Sequence, residues 1–306
     1  MPVLPAASAA NYRRQQALTA TVVASVRRAW RRMRPKGDWS EQWRRDVGPK
    51  ATAVVLAGQL AVSRESDRYV TNVLDELGMD ASSPTAVEPR AFIGAAGDGR
   101  PVDTLLEQAV AKARRTELDA EQALRDAEAW MDQVVQTIMA DTARAAESTA
   151  MVQREWVDGW VRMLNPPSCS RCVILAGRFY LWNDGFERHP GCDCRHIPAT
   201  ESQADDIRVD PQAYFDSLPP ADQDRIFTHA GAEAIRDGAD MGRVVNARRG
   251  VRKAQLLGRD VLATSTGTTR RRKGPVPVRL MPESIYELAK DRADAIRLLK
   301  LHGFIV

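Results

Sequence analysis

Apolar residues recur at Leu18, Val22, Val26 and Trp30 in an otherwise polar stretch. That spacing of 3.6 predicts a helix over residues 8–34, stopped by Pro35 and Gly37. A second helical stretch begins near Ser40, breaks at Gly48-Pro49 and resumes to Leu77, with Gly78 as its stop. Residues 78–101 are rich in Gly, Pro, Ala and Ser without periodicity and read as a linker. From Thr104 the helical signal is strong, opening on a Thr104-Leu-Leu-Glu107 capping box. Apolar positions follow at Leu105, Ala109, Ala120, Leu124, Ala127, Met131, Val134, Val135, Ile138, Ala145, Val152, Trp156 and Trp160, with no proline before Pro166. Unbroken, about 60 residues at ~1.5 Å each make a rod of about 90 Å; a helical hairpin turning near 114–119 or 147–150 fits the same pattern.

Beyond residue 200 the pattern shortens. Asp210-Pro211 starts a short helix, and Gly231, Gly238 and Gly242 punctuate two or three more. Residues 258–280 predict an extended arm with at most a short strand or hairpin. A last helix is expected over residues 282–301, burying Ile285, Leu288, Ala289, Ala295, Leu298 and Leu299. No repeat and no strand-helix alternation is present. The expected class is mainly α: an elongated helical N-terminal half with a long helix or helical hairpin, a small Cys-rich, zinc-knuckle-like module, and a C-terminal region of short helices with a basic extended arm. The divisions fall at 1–100 (linker 78–101), 102–200, and 201–306 with the arm at 243–279.

Composition changes this picture little, but charge changes it more. The 306 residues suffice for two or three domains, and 44% apolar with 27% charged residues is ordinary for a globular chain. No run approaches the roughly 18 apolar residues of a membrane span, and the N-terminus lacks a signal-peptide core, so a cytosolic setting with reduced thiols and no membrane partner is expected. The net charge of +4 is segregated. Residues 1–50 hold eleven Lys/Arg against three Asp/Glu and residues 243–279 eleven against one, so the remainder carries −14. Two basic segments on an acidic body point to a polyanion or an acidic protein surface, or to solvated arms. Arg27, Arg28, Arg31 and Arg32 around Trp30 suit such a partner, and equally complement the dipole of their own helix.

The chemistry is concentrated in residues 168–198, which hold all four cysteines and two of the four histidines. Cys169-x-x-Cys172 presents two thiolates on a turn, and Cys192-x-Cys194 supplies a second pair; together they can complete a tetrahedral Zn2+ site. His189 and His196 flank the second pair, and either can replace one sulfur. Reduced structural thiols and a disulfide or redox pair are the alternatives. Arg171 and Arg195 favour thiolates, which serves metal binding and reactivity alike. A catalytic metal needs an open position and a base. Asp184 and Glu187 offer one only by proximity, the deaminase His-x-Glu is missing, and nothing ties His229 to a thiol nucleophile. A metal-dependent nuclease with His189 or His196 activating water lacks its adjacent His-His or His-Asn signature, and a protease lacks a Ser-His or acid pair. A structural clasp fits best, its fourth ligand open between Cys192, Cys194, His189 and His196.

The order of these features carries a resemblance. A long helix, Cys169-x-x-Cys172, Leu175-x-Gly177 with Phe179 and Tyr180, then His189-Pro-x-Cys192-x-Cys194-Arg195 and Pro198 resembles the head-morphogenesis domain of phage Mu F-like minor head proteins. The stretch 210–250 is similar to versions in tailed phages of actinobacteria. The resemblance implies a minor capsid protein inside the head near the portal, acting in head assembly, genome packaging or DNA delivery. Its implied partners are the portal, the major capsid or scaffold proteins and packaged double-stranded DNA, met in the virion and, during assembly, in the host cytoplasm. It also implies a family signature at Cys169, Cys172, His189, Cys192 and Cys194, with residues 186–188 departing from the usual proline-rich lead-in.

Overall fold

The computed structural model describes residues 4–116, 119–186, 188–189, 192, 194–267 and 278–306. Glu187 and the Arg270-Arg271-Arg272-Lys273 run therefore lie outside the described residues, as do Pro275 and Pro277. The chain is mainly α and divides into two compact units: residues up to 163 with 179–207, and residues 164–178 with 208–306.

In the first unit α1 (Ala6–Trp30), α3 (Gly48–Arg64), α5 (Val102–Arg114) and α6 (Ala120–Val152) pack around one apolar core, with short α2 (Trp39–Gln42) and then α4 (Ser66–Glu76) completing the N-terminal half. The stripe predicted on α1 is buried at Val22, Val26 and Trp30, against Val55, Leu106, Met131 and Val135. Trp30 Nε1 donates to the Leu124 carbonyl (3.1 Å), so even the polar edge of the ring is satisfied. At Gly58 a Cβ would lie 2.8 Å from both Met139 Sδ and Val22 Cγ2; glycine lets α3 approach its neighbours.

Several expected boundaries move. Gly48-Pro49 does not interrupt the helical run: a π-turn over Trp43–Val47 leads into α3, with Pro49 in its first turn. The long pattern folds as a hairpin turning near 114–119, where Asp119 accepts from Gln122 N (3.0 Å) and caps α6; the helix then runs unbroken through 147–150. At 33 residues α6 is about 50 Å long. The Thr104 capping box does not form, because α5 starts earlier, at Val102, whose buried side chain belongs to the core. Trp156 and Trp160 are not helical: α6 ends at Val152 and Trp160 lies on β1 (Gly159–Met163).

β1 is the central strand of an antiparallel sheet in the order β2-β1-β3, with β2 (Phe179–Leu181) and β3 (Arg195–Ala199). Gly159 pairs with Leu181 and Val161 with Ile197. Every β1 residue is buried, so the period-2 alternation that marks a half-exposed strand is absent. The four-residue spacing of the two tryptophans imitates a helix. Trp160 stacks on Tyr180 (4.2 Å) and Phe186 (5.0 Å). Short α8 (Glu201–Ile207) follows β3.

The second unit consists of α7 (Ser170–Ala176), α9 (Pro211–Ser217), α10 (Pro220–Phe227), α11 (His229–Arg236), α12 (Met241–Ala247), α13 (Pro282–Leu288) and α14 (Arg292–Leu301), with β4 (Val251–Leu256), β5 (Arg259–Thr264) and β6 (Arg279–Leu280) forming a second antiparallel sheet. The Asp210-Pro211 start is as expected: Asp210 accepts from Ala213 N (2.7 Å). The basic segment is less extended than expected, beginning on α12 and continuing as a β4–β5 hairpin. The final helix is two, because Ala289 is extended and Asp291 caps α14 through Asp294 N (2.8 Å).

Six of the eleven cations of the first basic segment form ion pairs within its own unit. Arg27 pairs with Asp132, Arg31 with Glu128, Arg32 and Lys50 with Asp46, Arg45 with Glu41 and Arg14 with Glu65.

Candidate metal centre

Each cysteine pair is placed by its local backbone. Cys169 is the N-cap of α7, extended, with its carbonyl accepting from Val173 N (3.1 Å), and this puts Cys172 in the buried first turn. Cys192 N donates to the His189 carbonyl (3.0 Å), which brings His189 and Cys192 together; Cys194 directly precedes β3.

Buried arginines fix the second pair. Arg144, on α6, donates from Nε to the Cys194 carbonyl (3.0 Å), from Nη2 to the Cys192 carbonyl and from Nη1 to Asp141 Oδ1 (2.9 Å). Asp141 is held from its other side by Arg188, with Nη2 to Oδ2 at 2.6 Å. Arg195 donates from Nη1 to the Cys194 carbonyl (3.1 Å) and from Nε to Gln15 Oε1 (2.6 Å). The cysteine carbonyls therefore point at guanidiniums, which orients the loop before any ligand enters. A Cβ at Gly97 would lie 2.6 Å from both Arg188 Nη2 and Asp141 Oδ2, so only glycine lets the 95–99 loop close over this pair.

The ligand atoms of Cys172, Cys192 and Cys194 all lie within 4.8 Å of one another, as do those of Cys169, Cys172 and His189. No disulfide joins the four cysteines. Sulfurs around a tetrahedral ion sit about 3.8 Å apart for metal–sulfur bonds near ~2.3 Å. Cys172 belongs to both groups and is the pivot of either. This cysteine-rich cluster can bind a metal ion.

His196 is in neither group. Its ring is buried edge-on against Trp160 (4.4 Å) and Phe186 (4.5 Å), and its carbonyl accepts from the Tyr69 hydroxyl. Burial, reinforced by Arg144, Arg162 and Arg195, holds it well below the usual histidine range, so it is neutral and its place is in the core. Asp184 accepts from Leu181 N (2.9 Å) and braces the turn after β2. His229 pairs with Asp224 at 2.8 Å on α11's exposed face.

The surroundings of the cysteine loop are rich in buried charge. Arg144, Arg162 and Arg195 are all buried, with Asp141 and Glu147 as the buried carboxylates. Burial pushes Glu147 up, against the pull of Arg195 and of hydrogen bonds to Oε1 from Gln15 (2.7 Å) and Asn11 (2.8 Å). Burial and Arg195 push Arg144 below its ordinary range, while Cys192, Asp141 and Cys194 oppose that. Cationic charge beside thiols stabilises thiolates, the form that binds metal. These arginines and carboxylates were not among the site residues expected from sequence, although a signal exists: Asp141, Arg144 and Glu147 sit three apart among the buried positions of α6.

No protein-family model matches the chain, and neither a curated protein nor a solved structure matches it.

Proposed function

We propose that the protein is a non-enzymatic minor head protein of a tailed phage, acting inside the capsid near the portal in head assembly, genome packaging or DNA delivery, with Zn2+ clasping its cysteine module. The carrying observation is the order along the chain: a long helix, Cys169-x-x-Cys172, Leu175-x-Gly177 with aromatics, then His189-Pro-x-Cys192-x-Cys194-Arg195. Zinc suits this donor set because it takes sulfur and imidazole in a tetrahedron without redox chemistry. Cys169, Cys172, Cys192, Cys194 and His189 are the residues that would hold it. The ion's role is to add binding energy to folding, and the arginines keep the thiolate loop in shape for it.

Two surfaces support partners. The first unit exposes Val152, Trp156, Leu181 and Trp182, with Trp182 N donating to the Asp158 carbonyl (3.0 Å); exposed tryptophans of this kind anchor protein interfaces, here a portal or capsid subunit. Packaged DNA is the partner proposed for the second basic segment, since six of the eleven cations of the first are ion-paired within its own unit. The nuclease reading is weaker. His189 borders a cleft of about 310 Å³ with Asp98 and Asp141, but Arg100 pairs with Asp98, and Arg144 and Arg188 with Asp141, so neither carboxylate is poised as a base.

Mass spectrometry of proheads and mature particles, with crosslinking to the portal, tests the assignment. The protein is expected in at least one particle form and crosslinked to portal; absence from both overturns it.

A further inference from the structure

The tip of the β4–β5 hairpin breaks the usual chemistry of its turn. Leu256 pairs with Arg259, leaving a two-residue loop in which Leu257 has φ of +50° and Gly258 φ of +78°. Such loops favour Asn-Gly or Gly-Gly, because the left-handed region crowds a Cβ. Here the first position is a leucine that is also 97% exposed. It gains nothing from burial and carries backbone strain, a combination that marks functional positions. Around it stand Arg252, Lys253 and Arg259, exposed and without an acidic partner among the described residues. This is the reverse of the first basic segment, whose arginines are mostly ion-paired.

A narrow two-stranded ribbon with cations along its sides and an apolar residue at its end suits double-stranded DNA: the cations hold phosphates, and the tip enters a groove and wedges a base step open. We propose that the β4–β5 hairpin is a DNA-bending arm, binding duplex DNA without sequence preference through Arg252, Lys253 and Arg259 and kinking it by partial insertion of Leu257. The strain at Leu257 is then the cost of presenting a wedge where a loop would otherwise carry Asn or Gly. This deepens the proposed DNA partnership and rests on it only for DNA being the polyanion at hand. The purified full-length chain tests it whether or not the protein is found in particles.

Binding to a fluorescent duplex of about 25 base pairs is measured by anisotropy over a salt series, and bending by energy transfer between the duplex ends. The R252A/K253A/R259A variant is expected to bind at least about tenfold more weakly at 0.1 M salt, and to flatten the slope of log K against log salt by about 2 to 3, near 0.9 for each phosphate no longer neutralised. Leu257→Asn relieves the left-handed strain, so it is expected to raise the hairpin unit's thermal midpoint or leave it unchanged, and to retain affinity within about threefold. Its bending signal is expected to be lost. An unchanged affinity and slope in the triple variant overturns the proposal, as does wild-type bending by Leu257→Asn. Tighter, Leu257-dependent binding to phosphatidylserine vesicles than to duplex overturns it in favour of a membrane surface.

Discussion

Replacing Arg144 by methionine tests whether the cysteine loop is held by its carbonyls. The substitution keeps most of the apolar stem and removes a guanidinium that makes three hydrogen bonds, two to Cys192 and Cys194 carbonyls and one to Asp141. Asp141 keeps Arg188, and the Cys194 carbonyl keeps Arg195. Three lost charge-assisted bonds are worth about 1.5–3 kcal/mol each before the gain from no longer burying a charge. Removing one partner from a buried ionic network typically costs about 3–5 kcal/mol, and that is the expected loss. Urea unfolding at pH 7, followed by circular dichroism, measures it on the transition of the first unit. Arg125→Met, whose ion pair with Glu121 is exposed, is the control and should change stability by less than about 1 kcal/mol. If zinc occupies the cluster, its affinity in Arg144→Met should fall about 10- to 100-fold, read by competition with a colorimetric chelator. An Arg144→Met protein as stable as the Arg125→Met control would refute the reasoning.

Three further outcomes are expected. Cys172→Ser should lose metal most completely, because Cys172 belongs to both ligand groups; comparing zinc content in Cys169→Ser and Cys194→Ser then tells which group dominates, and equal retention in all three contradicts a clasp. Glu147 is raised above its ordinary 4.5, so the native state binds its proton more tightly and the wild type loses stability as pH rises from about 4.5 toward the folded value. Glu147→Gln lacks that loss: its stability relative to wild type should increase over this window in urea melts from pH 4 to 7.5, and a flat difference counts against the assignment. At Gly159 a Cβ would lie 1.9 Å from the Tyr180 carbonyl oxygen, a backbone atom that cannot swing aside. Gly159→Ala should therefore break the β1–β2 pairing and cost about 2 kcal/mol or more in chemical denaturation.

Legibility from sequence followed the length of the pattern. α1 and α6 were legible because their apolar positions repeat over many turns, and the cysteine cluster because its residue types are rare and tightly spaced. β1 was hidden: buried on both faces, it offers no alternation, and Trp156 and Trp160 mimic one helical turn. The split between α13 and α14 was hidden by the absence of Gly or Pro, although Asp291 and Asp294 carry the capping signal. His196 looked like a ligand from its position beside Cys194, but it sits against aromatic rings. Charge counts alone could not separate two basic segments of similar composition; the acidic partners of the first come from residues as distant as Asp132.

The polar ties of α6 have a mechanical meaning. Along this single helix Asp132 grips Arg27 of α1, Asp141 and Arg144 grip the cysteine loop, and Glu147 grips Asn11 and Gln15 at the other end of α1. Sliding this helix by one turn would break each of these ties. α6 is thus a common anchor: the same helix holds both halves of α1 and, through Arg144, the carbonyls of Cys192 and Cys194.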